Sequence, residues 1–127
     1  MKNNLSVALL KAGKPQEAYD AVLGTDEIFA REEDVLRQAI ALGNLAAALE
    51  ALGKRELAIE KYEQSADLFS KVGDGEKRSL VLKSAAALKI RQGKVIDSAL
   101  SMIGSVESSP KPNLIQRILK FFLRIKP

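Results

Sequence analysis

Residues 35–52 read VLRQAIALGNLAAALEAL, with apolar side chains at 35, 36, 39, 40, 42, 45, 46, 49 and 52. This is the i, i+3, i+4, i+7 stripe of an amphipathic helix, broadened by alanines. Gly53 follows where a left-handed C′ residue ends a helix, and Lys54 lies close to the terminal carbonyls. A second helix is predicted over residues 55–72, carrying Leu57, Ala58, Ile59, Tyr62, Ala66, Leu68 and Phe69. Gly73-Asp74-Gly75 then breaks the chain. The unit is a pair of helices joined by a glycine turn.

The unit recurs. Gly13-Lys14, Gly53-Lys54 and Gly93-Lys94 stand at one constant spacing, and their flanks align without gaps. The fifth residue after each glycine is small: Ala18, Ala58, Ser98. Ile28-Phe29 recurs as Leu68-Phe69, and Leu23-Gly24-Thr25 as Ile103-Gly104-Ser105. The third unit is therefore expected to repeat the hairpin, with helices over residues 76–92 and 95–106 and a turn at Gly93-Lys94. The first unit has a short front helix over residues 2–12. Pro15 then sits in the first turn of its second helix, where a missing N–H costs nothing. Gly24 falls inside that helix or ends it early. Ala46, Ala47, Ala58, Ala85 and Ala86 are placed to let antiparallel helices approach closely, with Leu, Tyr and Phe filling the neighbouring space. Such hairpins cannot bury their apolar faces alone, so stability comes from contact between neighbours.

The expected fold is all-α: an α-solenoid of antiparallel helix hairpins over residues 1–109, with repeats at about 1–34, 35–74 and 75–109. Residues 110–112 form a linker, and residues 113–127 a basic amphipathic helix.

Residues 42–74, LGNLAAALEALGKRELAIEKYEQSADLFSKVGD, resemble a tetratricopeptide repeat, and most closely the longer variety of roughly 40 residues found in kinesin light chains and related adaptors. Leu42, Leu45, Ala46, Gly53, Ala58, Tyr62 and Ala66 carry the resemblance. It covers the second and third repeats well and the first in part. The resemblance implies a superhelix with a concave groove lined by the first helix of each repeat, holding an extended or helical peptide. In the peptide-binding adaptors an Asn in the LGN segment contacts the ligand backbone, a task that suits an amide with both donor and acceptor. That position is Asn44 here, and its equivalents one period before and after are Asn4 and Ser84. The same register places Asn3, Gly43 and Lys83, then Val7, Ala47 and Ala87, and Lys11, Ala51 and Arg91 towards the groove. Of the family's two-carboxylate clamp for chaperone C-termini only Asn44 is present, since Val7, Leu80 and Ser84 stand where clamp residues belong. A chaperone C-terminus is therefore not expected. Against the ligand reading, an Asn within a helix can be plain surface or can hold a loop carbonyl of the adjacent repeat. Lys83 and Arg91 can equally form a solvated face.

Composition removes much of catalysis. The 127 residues include no His, Cys or Trp, so there is no imidazole base, thiolate nucleophile, disulfide or Cys/His zinc site. Gly13-Lys14 and its copies are turn residues and not phosphate loops. The acidic clusters Asp26-Glu27 and Glu32-Glu33-Asp34 lie at helix ends, where carboxylates favour an N-terminus. No enzyme activity, cofactor or metal is expected. Nucleic acid is not an expected partner either, because the repeat body has neither a basic face nor stacking aromatics. The start of the chain makes a poor signal peptide, no run approaches the ~20 apolar residues of a spanning helix, and a cytoplasmic protein is expected.

The net charge of +4 is unevenly divided. Residues 1–109 carry 15 basic and 16 acidic side chains, whereas residues 110–127 carry five basic and no acidic ones. In that tail Pro110 and Pro112 bar helix continuation and Asn113 is a natural N-cap. Leu114, Ile115, Ile118, Leu119, Phe122 and Ile125 then form an apolar helical face, widened by Phe121 and Leu123. Arg117, Lys120 and Arg124 share the opposite sector with Gln116. Three roles stay open: a cap over the last repeat, a segment lying on an anionic membrane surface, or a partner helix that mediates self-association. The expected function is that of an interaction adaptor that binds a partner peptide or helix in the groove. The alternative is a membrane-surface or self-associating module using the tail.

Overall fold

The computed structural model describes residues 2–106, with side chains from residue 4 to residue 103. The described residues form six helices: α1 (Lys2–Lys11), α2 (Pro15–Val22), α3 (Thr25–Arg31), α4 (Val35–Ala51), α5 (Arg55–Lys71) and α6 (Gly75–Val106). No strand occurs among them, as the all-α expectation requires. Successive helices pack antiparallel: α1 lies on α2, and α4 lies on α5 while also touching α1, α2 and α3. The chain divides into two compact units, Met1–Leu88 and Lys89–Pro127.

Four turns of one kind set this architecture. Gly13, Glu33, Gly53 and Gly73 have φ of 75°, 56°, 79° and 74°. Each donates its N–H to the carbonyl three residues back, on Leu10, Ala30, Glu50 and Ser70 respectively. The next N–H, of Lys14, Asp34, Lys54 or Asp74, reaches the carbonyl five residues back, on Leu9, Phe29, Leu49 or Phe69, always at 2.9 Å. These paired bonds are the Schellman ending, which satisfies carbonyls the helix leaves open. The turns at positions 13, 33, 53 and 73 are evenly spaced, so each period of the sequence repeat consists of two half-periods. The five-back carbonyl always belongs to a large apolar residue, and Leu49 and Phe69 are buried.

Helix starts alternate in kind. Asp34 and Asp74 accept hydrogen bonds from the N–H groups of Arg37 and Lys77 at 3.1 and 3.0 Å, as N-caps do. Their carboxylates also pair with Arg37 Nε at 3.5 Å and Lys77 Nζ at 2.9 Å. The hydrogen bonds from Lys77, first from its side chain and then from its backbone, hold the Asp74 carboxyl below its ordinary range. Lys14 and Lys54 provide no side-chain cap, and Pro15 takes the first helical position after Lys14, as expected.

The expected hairpin in the third repeat does not form. Gly93 and Lys94 lie inside α6, which continues from Gly75 to Val106. Lys89 stands where the other turns have Leu or Phe, so no apolar group anchors a turn there. Beyond it, Asp97, Ser98 and Met102 replace Leu57, Ala58 and Tyr62 of the second repeat. A helix folded back with that face would bury little, and continuing adds one backbone hydrogen bond per residue instead. Accordingly Ser98 is exposed where Ala18 and Ala58 are buried. In the second compact unit Ile96, Ala99 and Ile103 make a half-buried stripe, and Ile90, Val95, Leu100 and Met102 are exposed.

Gly24 does end its helix early. Its φ of 83° stops α2, and the Thr25 hydroxyl donates to the Val22 carbonyl at 2.7 Å, closing the open end. The second repeat has Gln64-Ser65 in this register, and α5 runs through. Freed from capping, the buried Ser65 hydroxyl donates across to the Ala39 carbonyl of α4 at 2.7 Å. Ser6, also buried, ties α1 to the Ala18 carbonyl of α2 at 3.0 Å. Each of these helix pairs thus carries a satisfied serine hydroxyl in its buried contact.

The core of the first compact unit gathers Val22, Leu45, Ala46, Leu49, Ala58, Ile59, Tyr62, Ala85 and Leu88, with Tyr19 and Val81 packed against it. Ala39, Ala41, Ala46, Ala48 and Ala58 are each at most 1% exposed, so the alanine excess is what close helix approach consumes. Gly43 continues this: a methyl added there would lie 3.4 Å from Ser65 Oγ and 3.6 Å from Val81 Cγ1, where α5 and α6 converge on α4.

Candidate functional site

Helix α4 touches α1 and, at Gly43, comes close to Val81 of α6. The three helices that open the predicted repeats are therefore neighbours within the first compact unit. Along them the proposed ladder residues are accessible to different degrees. Asn4, Val7 and Lys11 are exposed on α1, Asn44 and Ala47 are half-buried on α4, and on α6 Lys83 and Ala87 are exposed and Ser84 half-buried. Arg91 is exposed and belongs to the second compact unit. Among the described residues the Asn44 amide makes no hydrogen bond, so it does not serve as a tether to a neighbouring loop. The Ser84 hydroxyl donates to the Leu80 carbonyl one turn back at 3.3 Å.

A part-buried polar pair joins α5 to α4. The Tyr62 hydroxyl on α5 donates to Glu50 Oε1 on α4 at 3.0 Å. Burial, then the nearby Glu50 carboxylate and the bond to it, raise the phenol well above its ordinary value of 10.0. The sign of the consequence follows from linkage. The folded chain keeps its Tyr62 proton where the unfolded chain begins to lose its own, so stability is full below about pH 10 and falls as the pH rises above it. Thermal unfolding between about pH 9 and pH 11 should show this alkaline loss, at no more than ~1.4 kcal/mol per pH unit from this group. Tyr62→Phe should flatten that limb relative to the parent. An unchanged slope contradicts the assignment.

A second concavity lies at the α2–α3 break. It is a cleft of about 420 Å³ lined by Tyr19, Leu23, Gly24, Asp26, Glu27, Leu45, Leu49, Leu57 and Lys61. Leu23 and Leu57 are 57% and 41% exposed. No residue of the predicted ladder lines it. The sequence signal for it is the glycine interrupting a helical stretch at position 24, together with apolar side chains on either side of the break.

Residues predicted for the tail face, Leu114, Ile115, Arg117, Ile118, Leu119, Lys120, Phe121, Phe122, Arg124 and Ile125, lie outside the described residues. Among the described residues no helix is long and apolar enough to cross a membrane. Nor does any group of three or more His, Cys, Asp or Glu side chains there stand ready to hold a metal ion. No family model matches the sequence, and comparison with curated proteins and with solved structures finds no match either.

Proposed function

We propose that this chain is a non-enzymatic adaptor of tetratricopeptide-like repeats, holding a peptide or helix of a partner protein along the row formed by α1, α4 and the start of α6. Asn44 carries the reading. It is a half-buried amide in the middle of the central helix, without a hydrogen-bond partner among the described residues. A peptide backbone would offer that amide one acceptor and one donor. Small Ala47 and Ala87 leave room for a chain to approach, and Lys11 and Lys83 favour a ligand with acidic side chains. The evenly spaced turns support a stacked, solenoid-like arrangement, because equal registers on successive first helices then share a face.

Selection from a displayed library of random peptides against the full chain tests the reading. Selected peptides should bind Asn44→Ala at least about tenfold more weakly, the size of one or two lost amide hydrogen bonds. The melting temperature of that variant should match the parent. Peptides that bind the variant equally well contradict the proposal.

A further inference from the structure

Charge is distributed along this chain in a way that gives the α2–α3 cleft a partner. Residues 15–34, which span α2, α3 and the turn after them, carry seven acidic side chains and one basic, Arg31. Helix-end placement accounts for Glu17, Asp26, Glu27 and Asp34, but not for Asp20 along α2 or for Glu32 and Glu33 beyond α3. The open cleft lies between this acidic stretch and α4 and α5, with Leu23, Leu45, Leu49 and Leu57 as apolar lining and Asp26, Glu27 and the single cation Lys61 on its wall. The strongest opposite charge in the chain is the tail, five basic residues and no acid over residues 110–127, joined to the apolar set Leu114, Ile118 and Phe122. The apolar lining and the carboxylates of Asp26 and Glu27 match the apolar and basic residues of the tail in chemistry and sign.

We propose that the α2–α3 cleft is a docking site for residues 113–127 of a second copy of this chain. Reciprocal exchange places each tail in the other copy's cleft, so the contact is made twice about a two-fold axis and closes on itself. Two weak contacts of a short segment then act as one, because the second forms at the effective concentration set by the first. Apolar side chains entering the cleft supply affinity, and Arg117 and Lys120 against Asp26 and Glu27 supply orientation. This surface is distinct from the α1–α4–α6 row, and its use does not depend on peptide binding there.

The test is the solution mass of the full chain by sedimentation equilibrium, with charge reversals on either partner. The parent should approach twice the 13.8 kDa of one chain. Asp26→Lys with Glu27→Lys should weaken association about tenfold, and Arg117→Glu with Lys120→Glu should do the same. All four reversals together should restore it, which a merely misfolded variant cannot do, and added salt should weaken the parent. A monomeric parent overturns the proposal. So does a dimer indifferent to the reversals, or one that the combined variant fails to rescue.

Discussion

Leu88→Ala is expected to lower the unfolding free energy by about 2–5 kcal/mol, a large share of the ~5–15 kcal/mol that holds a domain of this size together. Leu88 is 1% exposed and among the largest fully buried side chains described. It belongs to the cluster with Leu45, Leu49, Ile59 and Tyr62, so together with Val81 and Ala85 it ties the first half of α6 to α4 and α5. Truncation removes three side-chain carbons and leaves a void that helices packed on alanine backbones are poorly able to collapse. Ala87→Ser, one residue earlier on an exposed position, is the control and should change stability by no more than about 0.5 kcal/mol. Urea unfolding followed by circular dichroism measures both. Equal, small effects would show that α6 does not belong to the core.

The second prediction sets two glycines of one register against each other. Gly53 and Gly93 lie one period apart in the same Gly-Lys pair, yet Gly53 has φ 79° and Gly93 lies within α6. Alanine at 53 must enter the left-handed region, at a cost of about 1–2 kcal/mol. A methyl at 93 meets nothing within 4 Å, and a helix interior prefers alanine to glycine by about 1 kcal/mol. Gly53→Ala should therefore destabilise and Gly93→Ala stabilise or raise helicity, a separation of about 2–3 kcal/mol in opposite directions. If both substitutions destabilise, both glycines occupy turns and the third hairpin exists.

These two glycines also mark how far the sequence could be read. Helix pairs, the turns at Gly13, Gly53 and Gly73, the first-turn proline and the buried Ala18 and Ala58 were legible because each follows from local chemistry and a clear period. The half-period was not, because its second turn uses Glu33, a residue that must be strained to enter the left-handed region and so gives no glycine signal. Gly93 misled in the opposite sense. A glycine permits a turn, but the turn forms only where an apolar anchor precedes it and an apolar helix follows it. Lys89 in place of Leu or Phe was the local sign that it would not.

The candidate surfaces divide in the same way. Asn44 and its register mates were found from the resemblance and from the constant repeat spacing, and the structure puts those of the first compact unit along three neighbouring helices. The cleft beside Gly24 escaped because it depends on how α3 departs from α2, a matter of tertiary geometry. Its acidic residues had an adequate local explanation as helix-end charges, and that explanation hid their shared neighbourhood.

The most direct measurement is amide chemical-shift mapping of a selected peptide on the isotope-labelled full chain. Binding along the α1–α4–α6 row predicts perturbations concentrated at Val7, Lys11, Asn44, Ala47, Lys83 and Ala87, with Leu23, Leu57 and Lys61 unaffected. Perturbations centred on the α2–α3 cleft, with Asn44 and its neighbours silent, would contradict it.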